Sequence, residues 1–204
     1  QDHVIALARE RDVDVGGAIA ISTLTANTEA YIDSQTLITA PTVTVTATST
    51  DSASALATGV NTTGDTGVGV AVAVNHVNLT TASYLGNGAD IDADTVTLSA
   101  NELGGNTFTA SAISGASGKD TGFAGGFALN IVSTNTAAFV ADNAAIDLHG
   151  ADLTLTATST TKSVADATPN TNKGTGGDFG AGISIAINVV DNLTSARIGD
   201  GAAI

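Results

Sequence analysis

Along most of this chain, apolar and polar residues alternate with a period of two. Val68, Val70, Val72 and Val74 fall on one side of an extended segment, and Gly69, Ala71, Ala73 and Asn75 on the other. The same split recurs with Ile183, Ile185, Ile187 and Val189 against Gly182, Ser184, Ala186 and Asn188. From Thr42 to Thr48 a threonine face alternates with an apolar one. Val, Ile and Thr are stiff at χ1 and suit a pleated surface, so these stretches predict strands. Gly-rich polar runs separate them at Asn61–Gly67, Gly118–Gly122 and Lys173–Gly177. No convincing helix period appears, and Ala, though frequent, is spaced at alternate positions, on sheet faces. The pattern predicts an all-β chain.

The strands belong to a repeat. Four 13-residue segments align without gaps, starting at Ala20, Ala73, Ala128 and Ala186 and ending at Ile32, Leu85, Val140 and Ile198. Their starts are 53, 55 and 58 residues apart. A Gly-rich run precedes each, and an alternating strand follows the first three, at Thr42, Thr95 and Asp152. The whole of 1–204 therefore reads as one continuous array, with units 15–66, 67–121 and 122–177 and partial units 1–14 and 178–204. It reads as an excerpt of a longer array.

Tandem all-β repeats with small residues at close-packed positions predict a β-solenoid, its units stacked about 4.8 Å apart. The expected internal face is the line of Val, Ile and Leu, with the Gly/Ala/Ser stripe admitting a second sheet closely. Two geometries fit the spacing. Three rungs of about 18 residues per unit give the coil of a three-sided β-helix, and this reading is favoured slightly. One wide, flattened rung per unit instead stacks Asn75, Asn130 and Asn188 as an amide ladder.

The segments Gly67–Ala100 and Gly125–Ala157 carry a resemblance. Their pattern, GxGxAxAxNxVxNxTxAYIGDGAxVTAxxVTVSA, resembles the repeats of filamentous-haemagglutinin-like adhesins. These are giant bacterial surface exoproteins, exported by two-partner or autotransporter-type secretion. The resemblance covers essentially the whole chain as a repeat pattern. It implies a right-handed parallel β-helix acting as a stalk or adhesive fibre at the cell surface, and it transfers no catalytic residues.

Composition narrows the chemistry. There is no Cys, which excludes a disulfide framework, a thiolate metal site and a Cys nucleophile. Six Lys and Arg stand against 20 Asp and Glu, a net charge of −14, so nucleic acid and anionic lipid are not expected partners. The longest apolar stretch, Val68–Val74, is too short for a membrane-spanning helix, so no membrane insertion by this segment is expected. Only seven aromatic residues are present, five Phe and two Tyr, which suits a thin core.

The sharpest charged motif is Asp90-Ile-Asp-Ala-Asp94. A spacing of two puts Asp90, Asp92 and Asp94 on one side of a strand, where Ca²⁺ could bridge them. The competing reading is a solvated strand edge, because the next unit places Ala145, Asp147 and His149 there. Gly176–Gly180 is the nearest approach to a calcium nonapeptide, and it lacks the full pattern. Sugar-cleaving chemistry lacks both a neighbouring base and Trp. Tyr84, with counterparts Tyr31, Phe139 and Arg197, holds a structural position in every unit. His3, His76 and His149 occupy unrelated positions and read as exposed or half-exposed bystanders. The outward Thr rows at 42–48, 95–99 and 154–158 could order water, which makes an ice-binding face a further candidate.

The function expected is a non-enzymatic structural or adhesive stalk in a large secreted or cell-surface exoprotein. Its partners are neighbouring repeats, with further copies of itself or a surface receptor beyond them. The alternative is a self-assembling extracellular filament or sheath subunit. Ca²⁺ or ice binding stands third, and no other cofactor is expected.

Overall fold

A computed structural model describes residues 13–61, 64–116, 118, 120–170 and 179–204. His3 and the runs 1–12 and 171–178, with the Lys173–Gly177 turn, lie outside the described residues. The described chain is all β, in eleven strands and without helix. They are β1 (Val13–Ile32), β2 (Leu37–Thr39), β3 (Thr42–Ser49), β4 (Ser52–Asn61), β5 (Thr66–Leu85) and β6 (Asp90–Asp92). After them come β7 (Thr95–Ala116), β8 (Thr121–Val140), β9 (Ala145–Asp147), β10 (Leu153–Asn170) and β11 (Phe179–Ile198).

Three parallel sheets take one strand from each unit, or two where β3 and β4 together match β7. The first has the order β1-β5-β8-β11, the second sets β3 and β4 beside β7 and then β10, and the third is β2-β6-β9. Register follows the repeat without a slip in the first sheet: Val13 pairs with Thr66, Thr66 with Thr121 and Thr121 with Phe179. Each residue thus meets its own counterpart 53, 55 or 58 positions later. This corrects the preference for rungs of about 18 residues. Vertical neighbours are a whole unit apart because two strands of some 20 residues each, β7 and β8 for example, use up the repeat.

Turn chemistry holds the corner after each long strand. Gln35, Gly88, Asn143 and Gly201 share one place in four units, and all have positive φ, between 50° and 70°. Gly and Asn tolerate this left-handed conformation best, which explains their presence in three of the four units. Backbone bonds stack the corners on one another, as in Gly86 N–H to Ile32 O at 2.8 Å and Gly199 N–H to Val140 O at 2.8 Å.

The interior overturns a second expectation. In the first half of the long strands the small residues point in and the large ones out. Ala18, Ala20, Ala71, Ala73 and Ala128 are buried against Ala55, Ala57, Ala110 and Ala112 of the second sheet. Val70, Ile19, Ile183 and Ile185 are exposed. The reason is the gap between sheets. A Cβ on Gly59 would lie 1.9 Å from Val70 O, and one on Gly69 would lie 2.0 Å from Gly115 O. Backbones that close leave no volume for a valine between them.

Further along, the interior widens on the same phase. Val77, Leu79, Phe108 and Val132 form a middle cluster. Where the third sheet adds a side, Val43, Leu85, Ile91, Val96, Leu98, Val140 and Ile146 make a larger core. The section is a wedge, and side-chain volume along each strand follows it.

Candidate functional site

Several exposed or polar features stand out from this frame. The first is the corner carrying the acidic motif. Asp90 and Asp92 lie on β6 with Ile91 buried between them, and Asp94 follows in the turn. The neighbouring unit sets His149 against them, with Nε2 3.3 Å from Asp92 Oδ1 and Nδ1 3.5 Å from Asp94 Oδ1. Asp147 Oδ1 lies 3.8 Å from Nε2 and also accepts the His149 backbone N–H at 3.2 Å. A protonated imidazole donates from both nitrogens and satisfies both sides, whereas the neutral ring can serve only one as donor. Asp90 is not brought into this cluster; its backbone N–H donates to Thr36 O. His149 is thus more than the bystander expected, and the unit alignment, which sets it beside Asp94, carried the signal. Among the described residues no group of three or more His, Asp or Glu side chains is arranged to hold a metal ion.

The second feature is a column of rings at the end of the long strands. Tyr31 stacks on Tyr84 at 5.1 Å, Tyr84 on Phe139 at 4.8 Å, and the Arg197 guanidinium lies 4.5 Å over Phe139. Stacking and a terminal cation–π contact favour the in-register arrangement. Within the column the broad faces cover one another, while Tyr31, which has a ring neighbour on one side, is 53% exposed. Partial burial, and then the Glu29 carboxylate 3.5 Å away, push the Tyr84 hydroxyl above the usual tyrosine range.

Two polar layers cross the interior. Asn75 Nδ2 donates to Asn130 Oδ1 at 2.9 Å, and both residues are fully buried. Asn130 Nδ2 in turn donates to Phe108 O, Ser163 Oγ and Val164 O, tying the first sheet to the second. Asn188 continues the column, donating to Ser163 O at 3.2 Å. Glu102, 1% exposed, forms the other layer. It accepts from Asn106 Nδ2 at 2.8 Å, Ser159 Oγ at 2.5 Å, Thr136 Oγ1 at 3.2 Å and Thr161 Oγ1 at 3.4 Å. All four donors are neutral. Glu102 falls on the inward phase of Val96, Leu98 and Ala100, which is the sequence signal for its burial.

On the second sheet the Thr rows stack in register: Thr44, Thr97 and Thr154, then Thr46, Ser99 and Thr156. This is a lattice of hydroxyls about 4.8 Å apart across strands and about 6.6 Å along them. On the first sheet, the outward line of the Gly-rich halves is apolar across all four strands.

No protein family, curated protein or solved structure matches the chain.

Proposed function

We propose that the chain is a stretch of right-handed parallel β-solenoid, one flattened coil per unit, that serves as a non-enzymatic structural and adhesive stalk of a large bacterial surface exoprotein. The observation that carries this reading is the uninterrupted register from β1 through β5 and β8 to β11, in sequence order. Stacking of that kind extends by adding units, and each unit needs only its neighbours. Crossovers between parallel strands of one sheet are right-handed in nearly all proteins, which supports the hand. A surplus of carboxylates keeps such an array soluble, and the absence of Cys suits export. Neighbouring units are its first partners, and a cell-surface receptor is the second. Antibodies against the chain should label intact cells of its source, and loss of the repeat region should lower their attachment to surfaces. Labelling that appears only after permeabilisation overturns the reading.

The stacked Thr rows favour a second reading, a face that orders water against ice. Thermal hysteresis from the purified chain, abolished by Thr97→Lys, supports it; freezing behaviour no different from an equally charged control protein removes it.

A further inference from the structure

The outward face of the first sheet is unusual for a chain with a net charge of −14. Take the outward positions 13–21, 66–74, 121–129 and 179–187 of β1, β5, β8 and β11. Fifteen of these twenty carry Val, Ile, Leu or Phe and none is charged; the remainder are Gly17, Gly125, Ala181, Thr66 and Thr121. Ile19 is 58% exposed, Val70 44%, Phe123 43% and Ile183 75%, so the surface is continuous from strand to strand. Four strands at about 4.8 Å, each crossing it with nine residues at about 3.3 Å, give roughly 570 Å². Soluble monomers seldom leave an apolar patch of that size uncovered.

Two glycines on this face have no internal reason to be glycine. A Cβ on Gly17 would meet nothing within 4 Å, and one on Gly125 would come no nearer than 3.8 Å to Ile183 O. Glycine inside a strand weakens it, and otherwise marks a place where another group comes close. Gly59 and Gly69 are such places within the molecule. Gly17 and Gly125 open outward instead, as notches among large side chains.

The notches fall in one row, which reads across the sheet as Gly17, Val70, Gly125, Ile183. Small and large alternate. Read in reverse, the row is large, small, large, small. We infer that two copies of this chain dock face to face through this surface, about a two-fold axis parallel to the strands and midway between β5 and β8. That operation sets β1 over β11 and β5 over β8 of the second copy. Each Gly17 then receives Ile183 of the other copy, and each Gly125 receives its Val70. In the adjacent row the same axis sets Val15 against Ala181 and Val68 against Phe123 of the second copy.

A self-complementary patch of this kind is what a two-fold interface requires. No carboxylate lies on the face, so no charge is buried on docking. Both copies together would bury about 1,100 Å², the low end for a specific complex, so association is weak and visible only at micromolar concentrations or above. Like net charges oppose the encounter, and added salt strengthens the pair by screening them.

Sedimentation equilibrium of the 204-residue chain over a concentration series, at low and high salt, tests this. A monomer–dimer equilibrium that tightens with salt is expected. Gly17→Ile fills a notch and should weaken dimerisation by about tenfold or more, since overpacking costs about 1–3 kcal/mol. Combining it with Ile183→Gly exchanges the members of the pair and should restore association to near the original strength. If Gly17→Ile loses the β-sheet circular dichroism spectrum, Val70→Lys serves in its place, and a monomer is then expected. A chain that stays monomeric overturns the inference. So does a Gly17→Ile variant that associates as well as the parent or better, because indiscriminate apolar adhesion gains from the added side chain. Capture by neutral lipid vesicles without dimerisation would assign the face to a membrane surface instead and overturn it as well.

Discussion

Asn75 and Asn130, 55 residues apart in the chain, are joined side chain to side chain by a 2.9 Å hydrogen bond in the buried interior. Amides stacked on adjacent strands can each donate to one neighbour and accept from another, which fixes register where alanine side chains have no distinguishing shape.

Asn130 is the member whose loss should be felt. Asn130→Ala leaves the Asn75 amide without an acceptor and removes the donor to Phe108 O. A stability loss of about 3 kcal/mol is expected in urea unfolding, because buried polar groups left unpaired cost about 1–3 kcal/mol each. Asn188→Ala, at an exposed position, should lose about 1 kcal/mol or less. Similar losses at both positions would show that burial of the ladder does not matter.

Glycine substitutions should separate into two classes. Gly69→Ala drives a Cβ to 2.0 Å from Gly115 O, backbone against backbone, and should cost more than about 3 kcal/mol or prevent folding. Gly17→Ala meets open space and should gain about 0.5–1 kcal/mol through lost chain entropy in the unfolded state. Denaturant midpoints of the two variants read the difference directly.

Alkaline pH should weaken the ring column through Tyr84. Its hydroxyl is held above the ordinary tyrosine range, by burial first and Glu29 second, so the folded state favours the neutral phenol. The associated stability is whole below about pH 10 and is lost as pH rises through the higher folded value. Tyr84→Phe should remove that part of the alkaline decline while leaving stability at neutral pH nearly unchanged. An identical alkaline slope in the two proteins would assign the decline to other groups.

Removing one unit should leave a folded protein. Deleting 67–121 joins Thr66 to Gly122, which continues the strand because Thr66 and Thr121 are register partners. β8 would then follow β1. The expected product unfolds cooperatively with a urea m-value lower by roughly a quarter, in proportion to the surface no longer buried. A collapse of the β-sheet spectrum would mean that the units are not interchangeable.

Much of this architecture was legible in the residues. The gapless alignment of Ala20, Ala73, Ala128 and Ala186 is reproduced as pairing register. The outward Thr rows follow from alternation, with Val43 and Leu98 inside as expected. Which side of the Gly-rich segments faces in was not legible. Alternation defines two faces and leaves the choice between them to tertiary packing, and hydrophobicity alone points Val68–Val74 inward. Contact between Gly59 and the Val70 backbone decides the matter, and it joins residues from different strands of different sheets. The unit alignment sets His149 beside Asp94, but the contact itself was not legible. The partners of His149, Asp92 and Asp94, belong to another unit, and only correct stacking brings them together. Glu102 is different, since its inward phase was readable from Val96 and Leu98 alone.

The width of the unit also sets how far such a chain can reach. A long strand of 20 residues spans about 66 Å, yet each whole unit climbs only one strand spacing, about 4.8 Å. Axial advance is therefore about 0.09 Å per residue, against 1.5 Å in an α-helix. A filament a hundred nanometres tall would need on the order of ten thousand residues stacked this way. Breadth, not height, is what each unit adds: a blade some 66 Å across that presents a hydroxyl lattice and an apolar sheet to its surroundings.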